Sequence, residues 1–190
     1  MAILARLCEA IDARPYMEGH GSRVSALAEA IALRLGWGPG RIRRLRIGAL
    51  LHDVGKLAVA DSVWDKAERL SEGEVAAIRS HPEAGVRILA RQADFRFAIP
   101  HVLFHHEHWD GGGYPSGRRG DEIPLEARVL AVADAFDAMT SPRPYRPALP
   151  VRDALAEIER CAGTQFDPVV AGVFVELCRA EAPRLLAAQG

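Results

Sequence analysis

Apolar residues recur along most of this chain with the three-then-four spacing of a buried helix face. In HGSRVSALAEAIALRLG they are Val24, Leu27, Ala28, Ile31 and Leu35, with Gly36 as a stop. His20 lies four residues before Val24 and so extends the same inward stripe, where a polar group needs a partner. GRIRRLRIGALLHDVGK carries Leu45, Ala49 and His52 on one face and predicts a helix running to Gly55. Ser71 and Glu74 form a capping box that starts another helix. Pro82 disfavours helical geometry at His81, so a new helix is expected from about Pro82 to Ala90, then one ending near HHEHW. LEARVLAVADAFDAMT is amphipathic through Leu125, Val129, Val132, Ala133 and Phe136, and the last helices fall at about 150–161 and 167–180. No alternating strand pattern of useful length occurs. The reading is all-α, a compact multi-helix bundle in a single domain over residues 1–190.

One segment breaks the periodicity. DGGGYPSGRRGDEIP, Asp110 to Pro124, holds five glycines and two prolines in fifteen residues. A loop that long within a compact domain is usually functional or disordered, and its position directly after a histidine cluster favours a loop that shapes a site.

Composition narrows the classes. The chain has 190 residues, 49% of them hydrophobic, and a net charge of −1, which gives no general pull toward nucleic acid or anionic membrane. Arg41 to Arg46, RIRRLR, is the one concentrated basic run and reads as a solvated helix face. Cys8, Cys161 and Cys178 form no CxxC pair, so a reducing, cytoplasmic setting is expected, and no stretch approaches the roughly 20 apolar residues of a membrane span.

The chemistry lies in histidines and carboxylates near predicted helix ends: His20, His52, Asp53, His81, His105, His106 and Asp134. Each alone reads as an ordinary core or cap residue, and His101 with His105 makes a rival i, i+4 pair. Asp53, in the otherwise apolar GALLHDVGK, is the sharpest case, because an unpaired buried carboxylate is costly and a bound cation removes that cost. Imidazole with carboxylate suits a first-row metal such as iron, manganese or zinc. Seven ligands exceed one tetrahedral ion, whereas two divalent ions bridged by Asp53 account for the number and suit displacement at phosphorus.

HDVGK, the HP at 81, HHEHWDGGGYP, IPLEARVLAVADAFDAMTSPRPYR and AGTQFDP together resemble the HD-GYP domain, a branch of the HD superfamily of metal-dependent phosphohydrolases. The resemblance runs from about residue 10 to residue 175. It implies a helical domain that binds iron or manganese and hydrolyses cyclic di-GMP to pGpG and GMP by a metal-bound hydroxide. It assigns the seven residues above as metal ligands, with Asp53 and Lys56 catalytic and Lys56 also touching a substrate phosphate. It puts Gly113, Tyr114 and Pro115 in the substrate groove and Arg143 and Arg146 on the nucleotide. Members with three metals carry a glutamate where this chain has Tyr16, and Glu18 would point away on a helix, so two ions are expected. Asp137, one turn after Asp134, is expected to hydrogen-bond a ligand instead.

Two rivals remain at this level. One is a weakly active or inactive cyclic-dinucleotide-binding module that acts through partners such as GGDEF-domain proteins; the other is an HD phosphohydrolase for another nucleotide, such as a mixed cyclic dinucleotide. A homodimer is also compatible with the resemblance.

Overall fold

The computed structural model describes residues 2–14, 17–64, 66, 70–142 and 147–187. Tyr16, Arg143 and Arg146 lie outside the described residues. Among those described there is no strand, only an isolated bridge between Ala162 and Phe166, so the architecture is all-α. The helices are α1 (Ala2–Asp12), α2 (His20–Arg34), α3 (Pro39–Leu51), α4 (Asp61–Trp64), α5 (Glu72–Arg79), α6 (His81–Ala90), α7 (Ile99–Phe104), α8 (Leu125–Thr140), α9 (Val151–Arg160) and α10 (Pro168–Ala187). None is long and apolar enough to cross a membrane among the described residues.

Two large apolar cores divide the work, beside a small third cluster of Phe104, Ile123 and Ala127. The larger is built by α2, α3, α8, α9 and α10 around Ile31, Leu45, Leu130, Ile158 and Phe174. The smaller joins α1, the end of α3, α6 and α7 through Ile11, Leu51, Leu89 and Val102. Met17 of the smaller core and Val24 of the larger flank His20, and Ala49 and Leu51 divide between the cores just before His52. The predicted site residues therefore collect at the seam between the cores.

Local sequence explains the ends. Ser71 caps α5 with its hydroxyl on the Glu74 amide, and the Glu74 carboxylate reaches back to the Ser71 amide at 2.7 Å. Asp167 caps α10, accepting from the amides of Val169 and Val170, and its other oxygen holds Arg128 of α8 at 2.8 Å. This gives FDP a structural task.

Two boundaries differ from expectation. The break before α6 falls at Ser80 rather than at His81: the Ser80 amide closes α5 on the Ala76 carbonyl, and its own carbonyl accepts from Ala84, so His81 becomes the first residue of α6. The helix expected to reach Gly55 ends at Leu51. His52 folds its ring back onto the Ala49 carbonyl at 2.6 Å, and Asp53 leaves helical geometry at φ −97°, ψ 10°. A 3₁₀ segment, Val54–Ala58, follows. In a straight helix, adjacent residues point about 100° apart, so this break is what lets His52 and Asp53 face the same place.

Gly55 sits where this 3₁₀ segment crosses α6, and a Cβ there would overlap the His81 carbonyl and approach the Gly85 amide nitrogen at 2.5 Å. We expect Gly55→Ala to cost about 3 kcal/mol of stability, the upper part of the overpacking range, and to show it as a lower urea midpoint at unchanged slope.

Candidate metal centre

Five elements deliver the site. His20 opens α2, His52 and Asp53 follow α3, His81 opens α6, His105 and His106 follow α7, and Asp134 stands in the middle of α8. All seven converge. They form two groups, one of Asp53, His81, His105 and His106 and one of His20, His52 and Asp134, and within each group the ligand atoms lie within 4.8 Å of one another. Either group could hold a metal ion.

Asp53 faces both. Its Oδ2 lies 3.5 Å from His20 Nε2 and 3.3 Å from His52 Nε2, while its Oδ1 lies 3.3 Å from His81 Nε2 and 3.8 Å from His105 Nε2. Oδ1 is buried and accepts no hydrogen bond. Lys56 Nζ donates to Oδ2 at 2.5 Å. Burial would raise the Asp53 pKa, but the Lys56 charge, with the His52 and His20 rings beside it, holds it well below the usual carboxylate range.

The imidazoles share one device. His52, His81 and His105 each turn Nδ1 onto the carbonyl three residues earlier: Ala49 at 2.6 Å, Ile78 at 2.7 Å and Val102 at 2.8 Å. A carbonyl only accepts, so Nδ1 carries a proton and Nε2 is the nitrogen turned to the cluster, with its lone pair free in the neutral ring. His81 and His105 face each other Nε2 to Nε2 at 3.3 Å, close enough that a cation held between them would satisfy both nitrogens. His20 is oriented differently: its Nδ1–H donates to Asp137 Oδ2 at 2.7 Å, and Arg23 holds the same carboxylate with Nε at 2.6 Å and Nη2 at 3.1 Å. Burial lowers the His20 pKa, yet Asp134, Asp137 and Asp53 outweigh it and push it up to about 11. This corner of the site calls for positive charge. The opposite corner is kept neutral, since burial and the neighbouring His106, His52 and His81 drive His105 well below its ordinary value.

His20, His52, Asp53, His81 and His105 are buried, whereas His106, Asp134, Lys56 and Tyr114 are half-buried and mark the open side. Tyr114 stacks on His106 with ring centroids 4.8 Å apart, and the Arg79 guanidinium lies 5.3 Å from the Tyr114 ring centroid. Burial, reinforced by the Asp53 charge, raises the Tyr114 pKa, so the phenol stays neutral and able to donate. Gly113 offers no side chain; it is needed because a Cβ there would lie 2.5 Å from the Glu107 Cα and from the His106 carbonyl oxygen. Pro115 is half-buried beside it.

Several contributors escape a reading by residue type. Glu107 is 2% exposed, and its carboxylate accepts from the amides of Ser116 at 2.7 Å and Arg118 at 3.1 Å, which pins the glycine-rich loop. The loop's start is tied by the Trp109 and Asp110 amides to the carbonyls of Gln165 and Thr164, giving AGTQ its place in the site. Arg23, one turn from His20, was detectable only as a basic residue on a ligand's helix face. Glu18 is exposed and outside both groups, as expected, but because it lies in the turn before α2 rather than on a helix with His20.

A family model for the HD domain matches residues 7–170. The chain belongs to the HD domain family. Among curated relatives, this HD domain is 41% identical over 159 residues to a 3′3′-cGAMP-specific phosphodiesterase of Vibrio cholerae, covering 83% of this chain and 35% of the relative. It is 41% identical over 172 residues to a cyclic di-GMP phosphodiesterase response regulator of Xanthomonas campestris, covering 87% of this chain and 44% of the relative. The chain thus spans less than half of either relative. The fold matches the crystal structure of a cyclic GMP-AMP specific phosphodiesterase of Vibrio cholerae with a TM-score of 0.70 at 21% identity, over 97% of this chain and 49% of that one. The HD-GYP resemblance drawn from the motifs stands within this family.

The Glu107 anchor makes the loop measurable. Charged acceptors contribute about 1.5–3 kcal/mol per hydrogen bond, so Glu107→Ala should speed exchange of the Ser116 and Arg118 amides by about tenfold or more in hydrogen–deuterium exchange. Protonation behaviour supplies a second expectation. Burial, opposed by Asp134 and aided by His81, lowers His106 from 6.5 to about 4, so between those values the unfolded chain binds more protons than the folded one. Its contribution to stability is therefore complete above about pH 6.5 and fades as pH falls toward 4. Denaturant midpoints of chelator-treated protein should decline across that window, and by less in His106→Gln.

Proposed function

We propose that this HD domain is a metal-dependent phosphodiesterase that hydrolyses cyclic di-GMP, using two divalent ions, iron or manganese, held by His20, His52, Asp53, His81, His105, His106 and Asp134. The observation that carries it is the position of Asp53, with Oδ1 turned to one donor group and Oδ2 to the other. A buried carboxylate oxygen without a donor, beside imidazole lone pairs, fits a bridging ligand. Imidazole and carboxylate donors suit both metals. The substrate class rests on the relatives, one described as acting on cyclic di-GMP and one on 3′3′-cGAMP.

Ions bound here supply Lewis acidity toward the phosphodiester and acidify a water molecule for attack. The protein's residues do the rest. Asp53 couples the two groups, and the carbonyl-locked imidazoles keep their lone pairs aimed without rearrangement. Lys56, 18% exposed at the rim, offers positive charge to a phosphate oxygen as negative charge builds. Tyr114 borders the opening as a neutral donor on a loop that Gly113 and Pro115 shape. Arg143 and Arg146 are assigned to the nucleotide from their motif alone.

Anaerobic metal analysis with a phosphodiesterase assay tests this. The parent should hold about two ions per chain and release pGpG. Asp53→Ala should lose both metal and more than a hundredfold of activity; retained stoichiometry would contradict the bridge. Asp137→Asn should weaken metal binding by about ten- to hundredfold, the usual effect of removing a group that orients a ligand. Tight cyclic di-GMP binding without turnover would favour the binding-module reading, and preferential turnover of a mixed dinucleotide would reassign the substrate.

A further inference from the structure

Away from the metal centre a cleft of about 520 Å³ opens between the first turns of α3, α7 and α8. Its size lies within the roughly 300–1,000 Å³ of small-molecule sites. Two independent features suggest an occupant. The first is His101. It is 5% exposed, lines the cleft, and neither ring nitrogen makes a well-aligned hydrogen bond. Buried nitrogens are rarely left so and ask for a ligand or an ordered water. The ring is fixed against α3, where a Cβ on Gly48 would lie 2.5 Å from its Cδ2. Burial lowers its pKa against the opposing pull of Glu126 and of the nearby Phe97 and Ala98 carbonyls, so the ring is neutral and, once its N–H turns to those carbonyls, an acceptor nitrogen is still left to satisfy.

The second is charge. Arg41 Nε donates to Glu126 at 2.8 Å, and its guanidinium lies 3.5 Å from the Trp37 ring centroid. That pair is neutral. Arg44, one turn along α3, is exposed, has no ion-pair partner among the described residues, and lies 5.9 Å from the Phe97 ring centroid. The basic run expected as a solvated face thus directs two of its arginines to a cavity wall and leaves one uncompensated positive charge beside a flat apolar surface.

We propose that this cleft is a second ligand site, for a small anion joined to a flat ring: the anionic head on Arg44 and Arg41, the ring against Phe97 and Pro100, and a polar edge reaching His101. A phosphate ester and a carboxylate share that chemistry. The proposal does not depend on what the metal centre hydrolyses. The placement matters because the three lining helices continue to the metal centre, Arg44 to His52 being about 12 Å of α3 and His101 to His105 a single turn.

Calorimetric titration of the metal-loaded protein with guanosine 5′-monophosphate, benzoate and inorganic phosphate, separately, tests it. Saturable binding of the nucleotide or of benzoate is expected, and which one binds identifies the head group. That binding should survive Asp53→Ala, which disables the metal centre, and weaken at least tenfold in Arg44→Ala and in His101→Phe. Absence of saturable binding by both ring-bearing probes overturns the proposal. So does binding lost in Asp53→Ala, binding indifferent to both cleft variants, or inorganic phosphate binding as tightly as the ring-bearing probes. Arg44 is exposed, so its variant stays informative even if His101→Phe fails to fold.

Discussion

Bringing acceptors together away from water is the constraint around which this molecule is arranged. Asp53 is 2% exposed, lies among four imidazoles, and has one oxygen without a hydrogen. Left unpaired, such a group is expensive, and the backbone locks on His52, His81 and His105 prevent those rings from simply turning their protons inward. The protein could have avoided the conflict by presenting Nδ1 to the cluster or exposing the carboxylate. Instead the helix ends supply carbonyls that hold the opposite arrangement. That is an investment in cation binding rather than in stability.

Much of this was legible in the chain. The helical stripes, the Ser71 capping box and the convergence of seven histidines and carboxylates follow from spacing and residue type, and local propensity and tertiary structure agree at those places. What could not be read were effects of close approach. The end of α3 depends on Gly55 passing beneath the His81 backbone, a contact between segments 26 residues apart in the numbering 55 and 81. Nothing in the local apolar pattern of GALLHDVGK signals it. Asp137 was readable from its one-turn offset, but its second partner, Arg23, was not, because α2 and α8 must pack before the pair exists.

Glu107 and His101 teach the same lesson from the other direction. Both sit in the histidine-rich stretch and invite a metal role by type. Glu107 instead serves as a surrogate acceptor for loop amides, and His101 faces a separate cleft. Residue type announces chemistry, but only the packed helices decide which neighbour receives it.

The glycine-rich segment from 110 to 124 has a final consequence. Fastened by Glu107 in its middle and by the 164–165 carbonyls at its start, it behaves as a series of short closed spans rather than one long flexible arc. A wall built this way cannot wrap around whatever arrives. A ligand at this mouth therefore meets a surface whose outline is set in advance by the anchors rather than moulded on arrival.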